Sequence, residues 1–290
     1  MLSSLLSLAL LLQTPAPATQ AAPAARDVPD VLYRTVEGVE LRLDVAVPAG
    51  AGPHPVVVLV HGGAWMHGRR QDMRELVPRL TQHGFACVSP SYRLAPAHVW
   101  PAQIEDCLYA VQFARAHAAE YGLDPERVGA LGPSAGGHLV MMLGVLDERR
   151  APDDPDPVRR QSTRLACAVP YFGCSLLTRT RERDFDTLPP PELFGKDADD
   201  AAYASASPLS FVTRDDPPFL LVHGDADEDV PVQHSRLLHE ALRAAGVASE
   251  LVEVPGGGHG DFLFTDPDGA YWTRTLAFLE ANLAPRAPAK

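Results

Sequence analysis

The chain has 290 residues, 46% of them hydrophobic, and a formal net charge of −12 at pH 7. This length and apolar content suffice for a buried core, whereas the negative charge argues against nucleic acid or anionic lipid as a partner, because both need clustered lysine and arginine. Four cysteines are too few for a disulfide scaffold, and the sequence contains neither a Cys-x-x-Cys nor a His-Glu-x-x-His metal motif.

The first thirty residues differ from the rest of the chain. Residues 2–12 form a mostly apolar run, too short for a membrane span of about 20 residues but of the length found in secretory signal peptides. Small-residue cleavage patterns follow this run, although no basic side chain precedes it. We therefore expect a signal peptide over residues 1–22, with cleavage between 18 and 25, and export of a single domain over residues 23–290.

The remaining chain alternates strand and helix patterns. Residues 39–47 alternate apolar and polar side chains, while 55–60 is a continuous β-branched run, typical of a strand buried on both faces. The predicted strands cover residues 31–36, 39–47, 55–60, 85–92, 127–131, 165–171, 219–223 and 250–254. Strands interleaved with helices predict an α/β fold: a mostly parallel central sheet of about eight strands with helices on both faces. In such sheets, ligands bind beyond the carboxyl ends of the strands.

Helices are predicted in four places between or after these strands. Apolar side chains form one stripe over residues 101–121, and further helices are predicted from His138, over 232–245 and over 269–283. Two segments, 151–157 and 179–203, have the composition of loops. The second is predicted to be a solvated connection, with a partial lid over a site as the alternative.

A glycine-rich serine motif occupies one predicted strand end. Gly132-Pro133-Ser134-Ala135-Gly136 follows an apolar strand and precedes an apolar helix. Gly-x-Ser-x-Gly between a strand and a helix is typical of a sharp turn that exposes a nucleophilic serine. We expect Gly132 and Gly136 to be required because a Cβ there would collide with neighbouring elements. An ordinary glycine-rich turn is the alternative.

A second motif, His61-Gly62-Gly63-Ala64-Trp65, directly follows the strand over 55–60. Adjacent glycines let the backbone approach a ligand closely. Their N–H groups, together with that of Ala135, could therefore stabilise an oxyanion. We interpret His61 as a residue that organises the loop rather than as a base, and an ordinary turn is again the alternative.

The candidate base and acid follow the last two predicted strands. His259 lies in the glycine-rich loop 255–260, and Asp225, Asp227 and Asp229 lie in the preceding strand-end loop. A serine nucleophile needs a base to accept its proton, and that base needs a carboxylate to hold its tautomer. Other histidines are less well placed, on predicted helices or closing a strand: His138, His234, His239 and His223.

Several ordered motifs together carry a family resemblance. They are His61-Gly-Gly-x-Trp65, Tyr92-Arg-Leu-Ala-Pro96, residues 101–106, Gly122-Leu-Asp-Pro125, the Ser134 motif, Ala206-Ser-Pro208 and His223-Gly-x-x-Asp227-x-x-Val-Pro231. From about residue 31 to 283 the sequence resembles the α/β-hydrolase family, in its bacterial esterase/lipase branch related to hormone-sensitive lipase. Two departures from the family pattern are Pro133 and Cys174.

The resemblance implies a fold, a site and an activity. It implies an α/β-hydrolase fold without a large cap domain, and a Ser134-Asp227-His259 triad with Asp225 as the reserve acid. The oxyanion donors would be Gly62, Gly63 and Ala135, and neither a cofactor nor a metal would be required. The implied activity is serine carboxylesterase, on short-chain esters or acyl esters linked to plant polysaccharides.

Other functions stay open at this stage. An amidase, such as a kynurenine-formamidase-like enzyme, or a peptidase could use the same triad. A hydrolase that has become a non-catalytic binding module is the less favoured alternative, because all three triad residues are present. The natural substrate and the oligomeric state do not follow from the sequence.

The cysteines are partly assigned. Cys87 and Cys167 lie in predicted strands and are expected to be small buried apolar residues. Cys107 and Cys174 are open, and export would permit disulfides in any of three pairings.

Overall fold

The computed structural model describes residues 24–184, 186–187, 189–266 and 269–285. The predicted signal peptide lies outside these residues, apart from the end of its cleavage window. The strands are β1 (Arg26–Val36), β2 (Val39–Val47), β3 (His54–Leu59), β4 (Ala86–Pro90), β5 (Leu123–Pro133), β6 (Cys167–Tyr171), β7 (Phe219–Gly224) and β8 (Ser249–Val254). The helices are α1 (Leu76–Thr81), α2 (Ala102–Ala116), α3 (Ala118–Tyr121), α4 (Ala135–Val145), α5 (Asp200–Ser205), α6 (Gln233–Ala244), α7 (Asp261–Thr265) and α8 (Ala270–Asn282).

The strands form one eight-stranded sheet in the order β1-β2-β4-β3-β5-β6-β7-β8. The pairs β1–β2 and β2–β4 are antiparallel, and every pair from β4 to β8 is parallel. The predicted mostly parallel sheet of about eight strands is therefore confirmed. Because β3, β5, β7 and β8 run in the same direction, the loops that follow them meet at one edge of the sheet.

Both faces of the sheet are covered by helices. Alternation along β3 explains how, since Val56 and Val58 belong to one buried cluster and Val57 and Leu59 to the other. Helices α2, α4 and α6 contribute to the first cluster, and α1 and α8 to the second. Burial on both faces requires the continuous apolar run that the sequence shows in this strand.

The helix predicted over residues 101–121 is wrong in one respect, because the chain leaves helical geometry at His117. This residue has φ −103° and ψ 16°, and it separates α2 from α3. Its ring stacks on Phe113 with centroids 4.0 Å apart, and its Nδ1 lies 2.9 Å from the Glu120 carboxylate. These local contacts stabilise the non-helical conformation at His117. The helix predicted from His138 begins earlier, at Ala135.

The long connection from β6 to β7 only partly matches the prediction of a solvated loop over 179–203. Its described residues contain 3₁₀ turns at Pro191–Leu193 and Pro208–Ser210 and the six-residue helix α5. Leu193 is fully buried, and its carbonyl accepts a hydrogen bond from the Trp100 N–H at 2.7 Å. The described part of this connection therefore folds into short helical segments that pack against the domain.

All four cysteines, Cys87, Cys107, Cys167 and Cys174, are buried free thiols. None of the three possible disulfide pairings is formed. Within the described ranges, no helix is long and apolar enough to cross a membrane.

Candidate active site

Ser134 lies at the turn between β5 and α4. Its backbone has φ 55° and ψ −122°, a conformation that costs free energy and is typical of functional sites. The Ser134 N–H donates to the Tyr171 carbonyl at 3.0 Å, and the Ser134 carbonyl accepts from His138 N–H at 2.9 Å. Hydrogen bonds on both sides therefore hold the strained turn.

Close backbone approach explains the glycines that flank Ser134. A Cβ on Gly136 would lie 2.1 Å from the Val60 carbonyl oxygen, and one on Gly132 would lie 2.6 Å from the same atom. Neither distance is compatible with a side chain. The strand end that carries the serine is thus pressed against the end of β3, which carries the His61–Trp65 loop.

The loops that carry Asp227 and His259 are joined in a similar way. The Ala226 N–H donates to the Gly257 carbonyl at 3.0 Å, and the Asp225 N–H donates to the Val254 carbonyl at 3.1 Å. A Cβ on Gly224 would lie 2.1 Å from the Gly257 oxygen. The paired ends of β7 and β8 therefore fix the aspartate and the histidine relative to each other.

Ser134, His259 and Asp227 form a continuous chain of contacts. Ser134 Oγ lies 2.8 Å from His259 Nε2, and His259 Nδ1 lies 2.8 Å from Asp227 Oδ2. A carboxylate only accepts hydrogen bonds, so Nδ1 carries the proton and Nε2 is left to accept from the serine hydroxyl. The Asp227 side chain is fully buried, whereas that of His259 is 22% exposed.

Asp227 remains ionised in spite of its burial. Burial alone would raise its pKa, but hydrogen bonds from His223, His259 and the Val230 N–H outweigh that effect and hold the pKa below its usual range. The second oxygen, Oδ1, accepts from the N–H groups of Val230 at 2.8 Å and Asp229 at 3.0 Å. Asp225, the reserve acid, instead accepts from the Gly256 N–H at 2.6 Å and is exposed.

The His61–Trp65 loop brings free backbone donors beside the serine. A Cβ on Gly62 would lie 3.4 Å from Ser134 Cβ. Within the described residues, the N–H groups of Gly62, Gly63 and Ala135 donate to no protein acceptor. His61 itself turns inward, where Nδ1 donates to the Gly62 carbonyl at 2.8 Å and the ring stacks on Tyr92 at 4.1 Å. Burial lowers its pKa.

These groups line a cavity of about 730 Å³, a volume in the range of small-molecule sites. Ser134, Ala135 and His259 lie on its wall together with aromatic and proline side chains. Thr187, Pro189 and Pro190 of the β6–β7 connection also line it. That segment is therefore part of the pocket wall, a role closer to the partial lid than to a solvated loop.

Sequence reasoning missed three contacts that support the site. His223 was expected only to close its strand, but its Nε2 lies 3.4 Å from Asp227 Oδ2 and 2.7 Å from the Val230 carbonyl. Phe172 presents its ring edge-on to His259, with centroids 5.0 Å apart. Trp65 Nε1 donates to His138 Nδ1 at 3.0 Å, which ties the glycine loop to α4. The motifs contained His223, Trp65 and His138, but only the fold shows these contacts.

His138 is expected to make the protein less stable in acid. Burial lowers its pKa to about 4, against the opposing hydrogen bond to the Ala206 carbonyl. Below about pH 6.5 the His138 imidazole is protonated in the unfolded chain but stays neutral in the folded protein. The free energy of unfolding therefore decreases between about pH 6.5 and pH 4, by up to about 3 kcal/mol. Denaturant titrations at both ends of this window should show a smaller acid loss in His138→Gln, since glutamine can both accept from Trp65 and donate to Ala206. An equal loss in both proteins would contradict this role.

The sheet order, the strained serine turn and the strand-end loops together define an α/β-hydrolase. Comparison with known proteins agrees. The BD-FAE family model matches residues 43–242, more than half of the chain, and the chain belongs to this family. The resemblance noted from the motifs is thereby confirmed.

Among curated proteins, the chain is similar to bacterial esterases. The chain is 36% identical to Esterase LipC and 34% identical to Esterase LipQ of Mycobacterium tuberculosis, over 72% and 71% of its own length. The chain spans about half the length of those relatives, 53% of LipC and 50% of LipQ.

The solved structures are matched over most of the chain. A truncated carbohydrate esterase from gut microbiota has a TM-score of 0.78 and 27% identity, covering 91% of this chain and 100% of the other. An acetyl ester-xyloside bifunctional hydrolase from Caldicellulosiruptor lactoaceticus has a TM-score of 0.78 and 25% identity, covering 91% and 98%. A butyrate-bound Thermogutta terrifontis esterase has a TM-score of 0.74 and 27% identity, covering 92% and 97%.

Proposed function

We propose that this chain is a serine carboxylic-ester hydrolase that acts through Ser134, His259 and Asp227. One observation carries the proposal: the serine hydroxyl, imidazole and buried carboxylate are joined by two contacts of 2.8 Å at the wall of a cavity. The names of the relatives and of the structural neighbours support an esterase rather than another hydrolase.

The proposed reaction has two halves. His259 takes the Ser134 proton through Nε2 as the hydroxyl oxygen attacks the ester carbonyl, and Asp227 stabilises the imidazolium that forms. The N–H groups of Gly62, Gly63 and Ala135 stabilise the tetrahedral oxyanion. His259 then protonates the leaving alcohol, and in the second half it activates a water that hydrolyses the acyl-enzyme.

The proposed substrates are short-chain acyl esters, including those carried by plant polysaccharides. Two of the structural neighbours are named as a carbohydrate esterase and an acetyl ester-xyloside hydrolase. The position of the site at the sheet edge, partly exposed at His259, is compatible with an ester on a bulky alcohol. Export through the predicted signal peptide is also part of the proposal, since such polymers lie outside the cell.

A substrate panel tests the proposal. The purified protein is assayed on p-nitrophenyl acetate, acetylated xylan, a feruloyl ester, N-formylkynurenine and an aminopeptidase substrate. The highest kcat/KM is expected for an acetyl ester. A higher value for N-formylkynurenine or for the peptide would replace the esterase proposal with an amidase or a peptidase.

The cavity is also expected to select against anionic esters. Asp72 and Asp229 are among the residues that line it, and no described lysine or arginine is. Asp72 is paired with Arg69 at 3.2 Å, but Asp229 is exposed and forms no ion pair within the described chain. A negative charge on the substrate would therefore be repelled.

Asp229→Asn is expected to raise the ratio of kcat/KM for p-nitrophenyl hemisuccinate to kcat/KM for p-nitrophenyl acetate by about fivefold, for a charge pair in a solvated cleft. The gain should shrink at high salt. Asp153→Asn, an exposed aspartate outside the cavity, is the matched control. An unchanged ratio in Asp229→Asn, or an equal gain in the control, would refute the charge selection.

A further inference from the structure

A second cavity lies away from Ser134 and is lined largely by arginines. It has a volume of about 300 Å³ and lies between α2 and the segment that follows α4. Ser134 caps the amino end of α4, whereas Arg149 and Arg150 follow its carboxyl end. The helix alone separates the two sites by about 16 Å, at 1.5 Å per residue. The second cavity therefore plays no part in the proposed ester chemistry.

Four arginines line this cavity, and three of them have no ionic partner among the residues that the structure describes. Arg34 is paired with the buried carboxylate of Asp106. The other three are exposed, and none forms an ion pair with a residue that the structure describes. They are Arg149, Arg150 and Arg159. The single acidic residue on the wall, Glu105, lies 3.4 Å from Arg93. The cavity thus keeps a surplus of positive charge in a chain whose net charge is −12.

The backbone beneath these arginines is held in place by a buried side chain. Gln112 Nε2, on α2, donates to the carbonyls of Arg149 at 2.9 Å, Gln161 at 2.8 Å and Arg159 at 3.2 Å. The Arg149 N–H also donates to Thr163 Oγ1 at 2.9 Å. The two stretches that carry the arginines are therefore fixed against each other, so less ordering would be needed on ligand binding.

Two nearby carboxylates are already used by the same segment. Asp154 accepts from the Asp156 N–H at 2.9 Å, and Asp156 accepts from the Val158 N–H at 2.9 Å and from the Tyr109 hydroxyl at 2.7 Å. These bonds shape the turn, and neither carboxylate forms an ion pair with Arg149, Arg150 or Arg159 among the described residues, although Arg150 Nε donates to the Arg160 carbonyl at 3.0 Å. The Tyr109 ring lies 5.8 Å from the Arg159 guanidinium carbon.

We propose that this cavity binds an anion that carries at least two negative charges, of the phosphate or polycarboxylate type. Arginine favours such groups because its planar fork donates paired hydrogen bonds to two oxygens at once. A small multivalent anion fits the volume, and it would supply the negative charge that the described side chains do not.

Isothermal titration calorimetry on the full chain tests this site with pyrophosphate and citrate as probes and acetate as the singly charged comparison, all at one ionic strength. Saturable binding of pyrophosphate or citrate is expected, and the combined Arg149→Gln and Arg159→Gln variant should weaken it by at least about tenfold. The matched control is Arg214→Gln with Arg243→Gln, which removes the same charge from exposed arginines outside the cavity.

The outcomes separate the possibilities. Binding of pyrophosphate alone supports a phosphate-bearing ligand, and binding of citrate alone supports a carboxylate-bearing one. Absence of saturable binding by both probes in the millimolar range would overturn the site, as would equal weakening in the control. The cavity variant should hydrolyse p-nitrophenyl acetate like the wild type, so failure of this site is distinguishable from failure of the proposed esterase function.

Discussion

Replacing Ser134 with alanine is expected to reduce kcat for ester hydrolysis by roughly 10⁶-fold, the scale seen when a triad nucleophile is removed. In the proposed reaction the hydroxyl oxygen bonds to the substrate carbon, and its described side-chain partner is His259 Nε2 at 2.8 Å. Loss of the hydroxyl therefore removes the proposed nucleophile, but it breaks no contact on which the positions of other residues depend. Stopped-flow and long-time assays on p-nitrophenyl acetate measure the loss.

The same variant should remain folded. The strained turn is held by backbone bonds of Ser134 to Tyr171 and His138, and alanine keeps both. The melting temperature is expected to stay within a few degrees of that of Ser210→Ala, an exposed serine outside the cavity. An active Ser134→Ala protein would refute the nucleophile, whereas an unfolded one would show that the hydroxyl has a structural role.

Asp227→Asn is expected to lower kcat by roughly 10⁴-fold, the scale seen for this change in serine proteases. The carboxylate accepts from His259 Nδ1 and thereby leaves Nε2 free to take the serine proton. An amide can donate to Nδ1 instead, which would favour the tautomer that cannot act as a base. The kcat of the wild type and of Asp227→Asn on p-nitrophenyl acetate, measured at several pH values, gives the size of the effect.

Asp225→Asn is the matched control for this experiment. Its carboxylate is two residues away on the same loop but accepts from the Gly256 N–H rather than from His259. We expect its kcat to fall by less than about tenfold, the cost of weakening one loop hydrogen bond. A larger loss in Asp225→Asn than in Asp227→Asn would transfer the acid role to the reserve candidate.

Much of the sheet could be predicted because its strands carry simple patterns. Every residue of the run over 55–60 is apolar, and β3 is accordingly buried on both faces. The break at His117 could not be predicted, because it depends on ring stacking against Phe113 rather than on the apolar stripe. Helix α4 was predicted to start late because its first turn is hidden in the glycine-rich motif.

The candidate site shows the same division between motif and context. The motifs predicted Ser134 and His259 in loops after predicted strands, and the family resemblance favoured Asp227 over Asp225 because Asp227 stands three residues before Val230-Pro231. The contact of Phe172 with His259 joins residues that are distant in the sequence, and no motif encodes it. The position of Pro189 and Pro190 on the pocket wall could not be predicted either, because the composition of a loop does not show which of its residues pack inward.

Labelling with a fluorophosphonate, which reacts with an activated serine, tests the central claim most directly. Peptide mass spectrometry is expected to find one phosphonate on the peptide that contains Ser134, with esterase activity lost in proportion to labelling. Prior saturation with a short-chain ester should slow the labelling, and Ser134→Ala should take up none. Stoichiometric labelling of another residue, or full esterase activity in protein that is completely labelled at Ser134, would contradict the account.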